Sequence, residues 1–144
     1  MSAPSELELK TREWLDYALH DLAAGDWDLQ CQVDLFEDCY FHAQQAVEKA
    51  LKAWLLWNNT PFRKTHDIKE LLLQCQALGP ELDVVAAKVQ HFTPFVALGR
   101  YPQVVPPQPP TKVGAEVVLQ QARELYDAVC GLVPPSARPP ILRP

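Results

Sequence analysis

Two short segments of this chain carry the residue types that hold a phosphate. Arg63-Lys64-Thr65-His66-Asp67 sets two cations and an imidazole immediately ahead of an apolar periodic run. A helix starting there offers free N–H groups and a partial positive charge, so an anion would sit well beside Arg63 and Lys64. The competing reading is that Thr65 and Asp67 only cap the helix while the bases stay solvated. In Gly99-Arg100-Tyr101-Pro102, Arg100 is the only base between Lys88 and Lys112. Its guanidinium can fork onto a phosphate while Tyr101 stacks on a base, or it can tie a loop to helix-end carbonyls. His42, between Phe41 and Gln44-Gln45, suits a satisfied polar or interface residue better than a general base. The four histidines form no H-E-x-x-H and do not pair with the four cysteines at zinc spacing. The five glycines are scattered singly, which leaves no glycine-rich phosphate loop. No metal and no cofactor is expected.

The elements that must position these residues are helical. Ser5 and Glu8 have capping-box spacing, and a helix can run from there to Gly25, read as its stop. Asp34 and Glu37 mark a second start. Phe36, Tyr40, Ala43, Val47, Ala50, Trp54 and Trp57 then follow at alternating steps of four and three, an apolar seam that places this helix at the centre. Glu48, Lys49 and Lys52 read as a solvated face with Glu48 paired to Lys52. Phe41 and Leu55 break that polar stripe, which marks them as candidate dimer-interface residues. Trp27, in the first connection, is a further candidate to cover something outside the monomer core.

Thr65 is the expected cap of a third helix reaching Ala77. Gly79-Pro80 ends it and opens a fourth, running to about Thr93. Residues 102–110 are expected as an extended proline-rich loop, and Thr111 as the cap of a last helix with Ala115, Val118, Ala122, Leu125, Val129 and Leu132 inward. No strand pattern is present. The expectation is an all-α, antiparallel up-and-down bundle of four main helices plus a short fifth over residues 5–133, with a flexible proline-rich tail over 134–144.

Composition bounds what such a bundle does. Of 144 residues, 48% are hydrophobic, which excludes wholesale disorder, and the net charge of −5 argues against broad electrostatic binding of nucleic acid. The charge is polarised: residues 1–40 carry −8 and the remainder +3. No secretory signal or membrane-length apolar run is visible, so the cysteines are expected as reduced thiols in a cytoplasmic protein.

The run Phe41-His-Ala-Gln-Gln-Ala-Val-Glu-Lys-Ala-Leu-Lys-Ala53 resembles the second-helix signature of the HEPN family (higher eukaryotes and prokaryotes nucleotide-binding domain). Lys64-Thr-His-Asp-Ile68 with Leu71-Leu72 looks like that family's next motif, and Gly99-Arg-Tyr-Pro102 like its third. The resemblance spans about residues 8–132. It implies a helical bundle, a homodimer, association with a nucleotide or RNA, and often a partner nucleotidyltransferase of the minimal type. Many members are RNA-cleaving toxins whose arginine is followed, four to six residues later, by a histidine. Here Arg100 matches the arginine, but the last histidine is His91. The expected function is therefore a non-catalytic module whose nucleotide- or phosphate-binding candidates are Arg63, Lys64, His66, Arg100 and Tyr101. The alternatives are a metal-independent endoribonuclease toxin with a displaced histidine and a purely structural interaction module.

Overall fold

Ser5 opens the first helix by the capping box its spacing predicts: its hydroxyl accepts the Glu8 N–H at 3.1 Å and meets the Glu8 carboxylate at 3.2 Å. In the computed structural model, which describes residues 2–92 and 110–140, the described residues form five helices and no strand. They are α1 (Glu6–Gln30), α2 (Phe36–Trp57), α3 (Ile68–Leu78), α4 (Asp83–Val89) and α5 (Lys112–Leu132), with a 3-10 turn at Pro135–Ala137. Among these residues no helix is long and apolar enough to cross a membrane.

Side-chain pairs fix the helix directions. Along α1, Asp21 meets His42 and Lys49, while Trp14 meets the ring of Phe62 beyond the end of α2. Rising numbers on one helix therefore match falling numbers on the other, and α1 and α2 are antiparallel. Gly25 packs on Leu119, while Glu8 at the other end of α1 lies by Ser136 in the turn beyond α5. By the same logic α5 runs antiparallel to α1. The core lies around α2, where Ala43, Ala46, Val47, Ala50, Leu51 and Ala53 are fully buried, as the seam predicts. Thr111 caps α5 as expected, accepting the Gly114 N–H at 3.0 Å.

Several boundaries differ from the sequence reading. Gly25 does not stop α1, which continues to Gln30; it is a packing residue, since a Cβ there would meet Leu119 Cδ2 at 2.5 Å. Trp27 consequently lies on the last turns of α1 rather than in a connection, and is 74% exposed. The cap of α3 is Asp67, not Thr65, because the longer Asp67 carboxylate reaches both Lys69 and Glu70 N–H groups. Pro80 opens a turn rather than α4, with the Asp83 N–H bonded to its carbonyl. The first part of the stretch expected as a flexible tail is packed on the bundle, with Pro135–Ala137 in a 3-10 turn. Ala137 is fully buried, and the Arg138 guanidinium donates twice to the Val133 carbonyl, at 3.0 and 2.7 Å. The Ser136 hydroxyl also holds the Glu8 carboxyl below its usual range, which ties this turn to α1.

Candidate phosphate-binding site

The segment between α2 and α3 is shaped at both ends by local chemistry. Asn59 takes a left-handed conformation (φ 54°), so that its N–H reaches the Leu56 carbonyl and the Thr60 N–H the Leu55 carbonyl. This is a Schellman termination with asparagine in place of glycine. At the other end, Thr65 Oγ1 accepts the Asp67 N–H, and Asp67 accepts two first-turn N–H groups of α3. Two of the free donors that an anion would use at this helix start are thus already taken.

Between these ends lie the basic residues. Arg63 is 82% exposed and forks onto Glu70 Oε1, with Nε at 2.9 Å and Nη2 at 2.5 Å. Lys64 is exposed. His66 is exposed as well, yet it is anchored: its Nδ1 lies 2.8 Å from Oε1 of the buried Glu48. A carboxylate acceptor on Nδ1 favours the proton there and turns Nε2 outward, where it accepts in the neutral ring and donates to an anion such as phosphate only in the imidazolium, an assignment inferred from the bonding pattern. Glu48 Oε2 is 3.6 Å from the ammonium of Lys52, also buried. That ammonium stands 5.6 Å from the ring centroid of Trp14 and 5.7 Å from that of Phe62.

The Glu48–Lys52 pair predicted from spacing is present, but the face is not solvated. Both residues are nearly inaccessible, because Trp14, Phe62 and the His66 segment close over them. Leu55 is likewise fully buried in the monomer, so the exposure that marked it as a dimer residue does not hold. Phe41 is half-buried, with the His42 ring edge-on at 5.5 Å. Arg100 and Tyr101 lie outside the described residues.

His42 belongs to a second cluster. Its Nδ1 is 3.0 Å from Asp21 Oδ1 and its Nε2 3.6 Å from Asp28 Oδ2, while Lys49 Nζ lies 2.5 Å from Asp21 Oδ2. The cluster is internally satisfied, which matches the reading of His42 as a polar packing residue. Burial raises the Asp28 carboxyl above its usual range despite the nearby His42. Sequence reasoning missed Asp21 and Asp28; their spacing of seven on one face of α1, opposite His42 and Lys49 at spacing seven on α2, was the available signal.

The bundle is similar to a solved structure, the crystal structure of TT1696 from Thermus thermophilus. Identity is 28% and the TM-score 0.65, over 87% of this chain and 99% of that one. No curated protein matches the chain. The family model for the HEPN domain matches residues 11–132, most of the sequence. The chain belongs to the HEPN domain family.

Proposed function

We propose that this HEPN chain is a non-catalytic module that binds the phosphate of a nucleotide or RNA at the loop before α3. The observation that carries the reading is His66, an exposed imidazole held by the buried Glu48 beside Lys64 and Arg63. Anchoring of this kind lowers the entropy lost when a ligand is gripped. Lys64 supplies a compact cation, and Arg63 joins by exchanging the half-buried Glu70 for phosphate oxygens. Calorimetric titration with ATP, GTP and a short RNA at two salt concentrations tests this. Lys64→Ala should weaken binding and lower the salt slope by about one unit, and His66→Ala should weaken it further. No heat with any ligand overturns the reading.

Membership of the family and the acidic first forty residues also support a minimal nucleotidyltransferase as partner in a toxin–antitoxin-like pair, with the chain acting as a cytoplasmic homodimer. Co-purification with the product of an adjacent nucleotidyltransferase gene checks the pairing; a lack of any salt-sensitive complex counts against it.

One observation favours a second reading. An imidazole backed by a buried carboxylate is what a general base requires, and Glu48–His66 has that form. A ribonuclease working through it would cleave RNA without metal and lose activity in His66→Ala and Arg100→Ala. Intact RNA after incubation with the purified protein disposes of it.

A further inference from the structure

Beside Trp14, α1 and α2 border a cleft of about 330 Å³ lined by Lys10, Glu13, Trp14, Tyr17 and Leu56. Four of these residues follow the i, i+3, i+4, i+7 stripe of one α1 face, so a single helix presents the chemistry. The volume lies at the lower end of small-ligand sites, ~300–1,000 Å³, and admits a purine ring. Trp14 is fixed before any ligand arrives: Phe62 meets it edge-on at 5.9 Å, and the Lys52 ammonium stands near its ring. Tyr17 is half-exposed, with the Lys49 ammonium 5.9 Å from its centroid. Glu13 is exposed, and among the described residues no ion pair engages its carboxylate. Lys10 is matched by Glu6 at 2.9 Å.

Two rings, one free carboxylate and a neutralised lysine suit a neutral planar ring bearing N–H donors better than a bare phosphate. Guanine has that form: its ring N1–H and exocyclic amine make a parallel pair of donors that one carboxylate accepts together. Adenine presents an acceptor at N1, which the carboxylate repels. The geometry points to a guanine-base site in this cleft, with the base stacked on Trp14 and Tyr17 and its donor edge on Glu13. The inference rests on the reading of the chain as a nucleotide- or RNA-binding module and names the base. Trp14 touches Phe62, and Phe62 precedes Arg63, so the cleft and the basic loop are neighbours.

Calorimetry or ligand-observed NMR with guanosine, adenosine and inorganic phosphate tests the site. Guanosine, which has no phosphate, should bind, and adenosine should bind about tenfold more weakly. Glu13→Gln should remove about tenfold of the guanosine affinity, the value of charged hydrogen bonds to the base. Tyr17→Ala, at a half-exposed ring that leaves the fold intact, should cost about fivefold through lost stacking. Val84→Ala, at an exposed position on α4 that does not line the cleft, should leave guanosine binding unchanged. Equal binding of the two nucleosides, or none of guanosine, overturns the assignment; so does spermidine binding in guanosine's place, which would make the cleft a cation site. Phosphate binding at the loop without guanosine binding leaves the loop reading standing and removes this one. Guanosine binding with no phosphate effect does the reverse.

Discussion

Glu48 is the residue on which the candidate site turns, because it serves His66 and Lys52 with separate oxygens while almost wholly removed from water. The two partners together offset the cost of taking this carboxylate out of water. Glu48→Ala leaves Lys52 buried and unpaired between two rings and should destabilise the fold by about 3–5 kcal/mol in urea unfolding. Lys52→Met alone strands the carboxylate and should cost a similar amount. The double variant should cost clearly less than the two together, because neither charge then remains buried alone; strict additivity would show that the pair is not coupled. The thiols follow the same rule of burial. Cys75 is pushed up to about 12 by burial alone, and Cys39 to about 11 by burial and then by Asp28. A thiol reagent should therefore modify the exposed Cys31 in the native protein and reach Cys39 and Cys75 only on unfolding.

The helices themselves were legible in the sequence wherever a short-range signal sets them. Ser5 and Thr111 cap the helices they were expected to cap, and the α2 seam is the core. What escaped was set by contacts distant in sequence. Glu48 and Lys52 have the periodicity of a wet face, and only the chain folding back at Trp14, Phe62 and His66 dries it. The three candidates in the α2–α3 loop were found by charge clustering, but the carboxylate that anchors one of them lies 18 residues earlier. Gly25 misled for a related reason: a lone glycine carries the same letter whether it ends a helix or lets another approach. Here Leu119 of α5 rests where a Cβ would stand. Gly25→Val should overpack the α1–α5 contact and lower stability by about 1–3 kcal/mol despite the higher helix propensity of valine. An unchanged melting temperature would mean that the contact has room to give.

At the scale of the whole molecule, charge is arranged rather than merely summed. The −8 of residues 1–40 lies mostly along α1, against a remainder that carries +3. If the proposed homodimer uses the Phe41 region, Phe41→Glu should shift the mass in light scattering from dimer to monomer, and a monomeric native protein would remove the premise. Part of the acidic excess also shapes the response to pH. Asp28 is raised above its ordinary 3.8 chiefly by burial, with His42 opposing and Asp38 adding to the rise. The native state therefore holds this proton more tightly than the unfolded chain does. The resulting stabilisation is full below the unfolded value and is lost as pH rises through the higher native one. Asp28→Asn has no proton to lose there. Between pH values just below the carboxylate range and just below histidine titration, its stability relative to the parent should rise with pH, as read by urea unfolding at each step. A difference that stays flat would mean that the Asp28 carboxylate is as well accommodated in the fold as in water. A difference that falls would mean that His42 holds its charged form more firmly than burial opposes it.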